Sequence, residues 1–187
     1  CCLVKNMEEM FEILGIKPKD IKLYNTAFLH SSYANEHRAK ADYERLEFLG
    51  DSVVDLVIAD YLYTCKSESE WEITKVRASY VCENALYRYS MDMGFNKYIK
   101  VGHGEESSGG KYKKAIVADI FEALMGAIYL DLGYETVRRV ALDIIVPYIQ
   151  NPNVVFFEDY KSALQQAVQT TKQSVIYEVV KEEGPAH

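Results

Sequence analysis

The stretch Ala115 to Leu130, AIVADIFEALMGAIYL, carries only two charged residues, Asp119 and Glu122. Wound as an α-helix at about 100° per residue, it presents apolar side chains in every direction, the pattern of a helix enclosed by other helices. Asp119 and Glu122 stand three positions apart and share one face. Unpaired carboxylates in a protein interior are costly, and no Lys or Arg lies within the segment to pair them. A cation meets them, a basic side chain from another helix meets them, or they are protonated.

A second row of acids lies upstream. In the helix that begins ERLEFLGD (44–51), Glu44, Glu47, Asp51 and Asp55 fall within an arc of roughly 80°, opposite Leu46, Leu49, Val53, Leu56 and Val57. The plain reading of such a stripe is the solvated face of an amphipathic helix, although like charges at this spacing repel. One divalent cation shared by the two rows accounts for both. Oxygen ligands without His or Cys suit a hard cation, Mg²⁺ with Mn²⁺ as a possible substitute, and disfavour zinc. Such ions activate water and stabilise the charge that develops on a phosphodiester. Phe48 projects with the acids, so a partner subunit or another helix of the same chain must cover it.

The rest of the chain is consistent with an all-α domain over residues 1–150. Apolar residues recur at helical spacing, and breaks at 15–18, 35–41, 67–70, 102–110 and 133 leave helices at about 6–14, 19–29, 42–65, 72–92, 112–132 and 134–149. Residues 102–110 read as a polar, glycine-rich loop. Asn151-Pro152-Asn153 opens a linker, 151–157. Residues 158–170 then read as a helix and 174–181 (SVIYEVVK) as a strand, the start of an α/β module whose remainder is absent. Because Cys1 is no natural start, the chain is expected to be a fragment.

The 187 residues include 28 acids against 21 Lys and Arg, a net charge of −7. That balance argues against a polyanionic partner, except that a bound cation reverses the local sign. Four cysteines without metal-ligand pairing suit a reducing cytosol, so a cytoplasmic location is expected. No apolar run approaches the roughly 18 residues that cross a bilayer, so no membrane partner is expected.

Four strings taken together, HSSYANE (30–36), ERLEFLGD (44–51), ITKVRA (73–78) and KAIVADIFEALMGAIYLDL (114–132), resemble the endonuclease domain of the ribonuclease III family. Residues 158–187, from DYKSALQQAVQ to GPAH, resemble the N-terminal part of a double-stranded-RNA-binding domain. The resemblance implies a Mg²⁺-dependent homodimer that cuts double-stranded RNA to 5′-phosphate and 3′-hydroxyl ends, as in ribosomal and messenger precursor processing. By position, Glu47, Asp119 and Glu122 match direct metal ligands, and Asp51 an acid holding a water bound to the metal. Glu44 matches a position outside that quartet, and Asp55 has no counterpart in it. Phe48 matches an aromatic that inserts into the other subunit. Gln165, Gln169 and His187 match residues that reach the RNA minor groove. Thr74, Lys75 and Arg77 are candidates for phosphate contact, whereas His30 is expected to cap or pack within its own turn. Trp71 departs from the family pattern, which has Gly there. Two competing readings are a catalytically idle dimer that binds double-stranded RNA, and a helical phosphohydrolase acting on nucleotides; the second needs a His ligand that no position supplies.

Overall fold

A computed structural model describes residues 2–65 and 69–156, with side chains from Met7 onward. The readings placed on 158–187, including Gln165, Gln169 and His187, lie outside the described residues. The regular elements among the described residues are all helical: α1 (Cys2–Leu14), α2 (Ile21–Ala27), α3 (Ser31–His37), α4 (Glu44–Cys65), α5 (Glu70–Tyr80), α6 (Glu83–Asp92), α7 (His103–Ser107), α8 (Lys114–Leu132) and α9 (Tyr134–Ile149), with 3₁₀ turns at Phe95–Tyr98 and Gly110–Tyr112. The all-α expectation holds. No helix among them is long and apolar enough to cross a membrane.

The centre is α8. Its side chains from Ile116 to Ile128 are buried except those of Asp119 and Glu122, as the all-round apolar pattern requires. Helices α4, α6, α9 and α2 pack around it. Its C-terminal end is tied to the entry of α2 by Asp131, whose carboxylate accepts from the Lys19 and Asp20 amides at 2.9 Å each and from the Tyr24 hydroxyl at 2.9 Å. Gly133, at φ 83°, then turns the chain into α9.

Three local readings need correction. The continuous helix expected over 72–92 is two helices. Val81 leaves helical geometry, and Cys82 caps α6 in extended backbone while its thiol donates to the Ser79 carbonyl at 3.3 Å. The apolar spacing runs unbroken through this bend, and no Gly or Pro marks it. Residues 31–37 form α3, where small and polar residues give little periodicity. Its start is fixed by His30, whose Nδ1 accepts from the Ser32 amide at 3.1 Å, the capping role expected for it. Within 102–110, α7 replaces the expected loop.

Residues 151–156 lie against the helices. The Phe156 ring sits 5.5 to 5.9 Å from those of Tyr80, Tyr89 and Tyr148, and Asn84 Nδ2 donates to its carbonyl at 3.3 Å.

Candidate metal centre

Glu47 leaves the first turn of α4, and Asp119 and Glu122 leave consecutive turns of α8. The two helices meet without side chains between their backbones. A Cβ on Gly50 would lie 1.8 Å from the Glu122 carbonyl oxygen, and one on Gly126 would lie 2.4 Å from that of Leu46. Two glycines on opposite helices thus permit the close approach that brings the acid rows face to face. Among the described residues, carboxylate oxygens of Glu47, Asp119 and Glu122 lie within 4.8 Å of one another, all half-buried.

No Lys or Arg pairs with these three acids among the described residues. The one neutral donor is Tyr43, whose hydroxyl donates to Asp119 Oδ2 at 2.9 Å. Burial, followed by the charge of Asp119, pushes the Glu47 carboxyl up to about 7. Burial, followed by the charges of Asp51, Glu47 and Asp119, pushes Glu122 up to about 8. Asp119 is raised mainly by burial, against the lowering effect of the Tyr43 hydrogen bond. The Tyr43 hydroxyl is itself driven up by burial and by Asp119, so it remains a donor. Half-buried carboxylates crowded this closely, with no counter-charge, form a donor set that fits a hard divalent cation.

Asp51 is exposed, one turn along α4 from Glu47, and lies outside the three-acid set. Glu44 is exposed and Asp55 half-buried, neither within that set. Phe48 is 80% exposed, and no helix among the described residues covers it. Lys75 and Arg77 are half-buried on α5, and Thr74 is exposed beside them. The Lys75 ammonium lies 4.5 Å from the centre of the Trp71 ring, so the residue that departs from the family pattern packs against a cation. Sequence reasoning missed Tyr43, Gly50 and Gly126. Tyr43 adjoins the acid row, and a glycine inside each of two apolar helices is the trace that a close crossing leaves.

Among the described residues, fold and site together place the chain in the class of all-helical proteins built around a buried, acid-bearing helix, with three converging carboxylates compatible with a divalent cation. Residues 20–149 match the model of the Ribonuclease-III-like family. Ribonuclease 3 of Onion yellows phytoplasma (strain OY-M) is 44% identical over 185 residues, covering 98% of this chain and 76% of that protein. Ribonuclease 3 of Bacillus cereus (strain G9842) is 45% identical over 180 residues, covering 94% of this chain and 74% of that one. The solved nuclease domain of ribonuclease III from Campylobacter jejuni superposes with a TM-score of 0.70 at 34% identity, over 75% of this chain and 96% of that domain; that structure is described as showing flexibility in a region involved in dimer formation. The chain belongs to the ribonuclease III family, and the expectation of an endoribonuclease is met.

Proposed function

We propose that the chain is a Mg²⁺-dependent endonuclease of double-stranded RNA that acts as a homodimer in the cytoplasm, in the processing of structured RNA such as ribosomal and messenger precursors. The observation that carries this reading is the convergence of the Glu47, Asp119 and Glu122 carboxylates with no basic partner among the described residues. These three residues hold the divalent cation, Mg²⁺ or Mn²⁺ in its place. When bound, the cation lowers the pKa of water and stabilises negative charge on the phosphodiester oxygens.

The chain's own residues do the rest. Asp51, on the open side of the pocket, orients the attacking water and accepts its hydrogen bond. The water oxygen bonds to phosphorus and gives up a proton to solvent, the bond from phosphorus to the 3′ oxygen breaks, and a proton from solvent completes the 3′-hydroxyl while the 5′ end keeps the phosphate. Tyr43 fixes the orientation of the Asp119 carboxylate by its 2.9 Å hydrogen bond to Oδ2. Lys75 and Arg77 contribute cationic groups toward RNA phosphates on α5. In the portion outside the described residues, Gln165, Gln169 and His187 reach the minor groove. Retention of all four acids favours cleavage over idle binding.

The test incubates labelled duplex RNA and Mg²⁺ with the parent chain and with Glu122→Gln. The expected result is cutting by the parent to 5′-phosphate ends and a rate at least about 100-fold lower in the variant, with duplex binding retained. Equal rates in the two proteins would contradict the assignment.

A further inference from the structure

Away from the acids, a cleft of about 170 Å³ lies between the end of α2 and the segment 97–111, lined by Asn25, Tyr98 and three lysines, Lys97, Lys100 and Lys111. In a chain of net charge −7, three cations on one small cleft call for a partner. Four basic residues outside the cleft pair with acids, Arg88 with Asp92, Lys113 with Glu105, Arg138 with Asp60 and Arg139 with Asp143; what sets Lys97, Lys100 and Lys111 apart is that they line one cleft. Lys111 pairs with Glu106 at 2.8 Å at the edge of the cleft. Lys97 and Lys100 form no ion pair among the described residues, and burial holds the Lys100 ammonium below its usual range. The Lys100 ammonium lies 5.8 Å from the centre of the Tyr33 ring.

The cleft is joined to the metal centre through backbone. The Lys100 amide donates to the Phe28 carbonyl at 2.8 Å, and the His30 amide donates to the Lys100 carbonyl at 3.0 Å. One residue further, the Tyr43 amide donates to the Leu29 carbonyl at 3.0 Å, and the Tyr43 hydroxyl holds Asp119. An anion seated on the lysines is therefore held in fixed register with the acid pocket. We propose that Lys97 and Lys100 form a phosphate-binding cleft that grips the RNA backbone at a phosphodiester other than the one being cut. This rests on the duplex-RNA reading above and names a point at which that substrate is positioned. It also answers the objection of net charge, because cations gathered on one cleft matter more to a polyanion than the global sum.

The experiment measures kcat and KM of the full chain on duplex RNA across a series of salt concentrations. The parent is compared with Lys97→Gln/Lys100→Gln, with Lys97→Arg/Lys100→Arg, and with Lys17→Gln/Lys19→Gln, which removes the same charge at exposed positions. The Gln pair at the cleft should raise KM about tenfold, leave kcat near the parent value, and make the dependence of log KM on log salt shallower by roughly one for each lysine. The Arg pair should restore both, and the pair at 17 and 19 should change neither. Should the double Gln variant fold poorly, Lys97→Gln alone, on an exposed side chain, carries the same comparison. An active parent with an unchanged KM and salt slope in the cleft variant overturns the cleft and leaves the nuclease reading standing. A parent that neither binds nor cuts duplex RNA removes both. Inorganic phosphate binding to the lysines with no effect on RNA KM would assign the cleft to a free anion and overturn the proposal.

Discussion

Burial, with the charges of the neighbouring acids, pushes Glu47 up to about 7 and Glu122 up to about 8, above the value of 4.5 usual for an unfolded glutamate. Between those values the folded chain binds more protons than the unfolded one. The stability associated with the two groups is therefore fully present below about 4.5 and is lost as pH rises through 7 and 8. The cation-free protein is expected to melt at progressively lower temperature from pH 5.5 to 8.5. Mg²⁺ should restore the melting temperature more strongly at pH 8 than at pH 5.5, because carboxylates bind the ion only when deprotonated. Calorimetric scans with and without the ion check both statements, and a melting temperature indifferent to Mg²⁺ at pH 8 counts against the centre. Tyr43→Phe removes the hydrogen bond to Asp119 while keeping the ring that contacts His30, 5.7 Å away. It should weaken cation affinity by about 10- to 100-fold, read by titration, with the fold intact.

Elements decide where these side chains meet, and here the sequence was legible in part. The all-round apolar pattern of α8 placed Asp119 and Glu122 in the interior, and the stripe on α4 placed Glu47 and Asp51 together, because helical period alone fixes both. The convergence of the two rows was not legible from period, since it depends on how closely two helices cross. That distance is set by Gly50 and Gly126. The bend at Val81 and Cys82 was hidden for a similar reason: a helix can end on tertiary contacts without a breaker residue. Helix α3 was hidden because its stability comes from a His30 cap and from Glu36, which accepts the His103 amide at 2.8 Å, not from an apolar stripe. Gly50→Ala must push α4 away from α8, since the added carbon would overlap backbone rather than a movable side chain. A loss of about 1–3 kcal/mol is expected, lowering the melting temperature by several degrees, together with weaker cation binding. Gly104→Ala, where nothing lies within 4 Å, serves as the control and should leave both measurements unchanged.

For the whole molecule, the outer face of α4 raises a matter that a single chain leaves open. Phe48, Leu56 and Tyr63 are 80%, 56% and 84% exposed, and their spacing sets them within an arc of about 80° that begins beside the acid row and runs away from it. Helix α5, which follows, buries none of its residues in the described chain. An exposed apolar stripe beside the acid pocket is what a second copy would cover, which would give one assembly two pockets, each facing one strand of a duplex. Because Phe48 contributes little to the isolated fold, Phe48→Ala should change the stability of the monomer by no more than about 0.5 kcal/mol. If the ring is a central anchor of the interface, the same change costs at least about 2 kcal/mol of association, a loss of affinity of roughly 30-fold. Sedimentation equilibrium should then show the parent as a dimer and the variant shifting to monomer over the same concentration range. Cleavage by the variant should fall steeply on dilution and recover at high protein concentration. Mixed dimers of parent and Glu122→Gln subunits should nick one strand where the parent cuts both. A parent that sediments as a monomer while cutting both strands at the same dilution would require a different cover for Phe48.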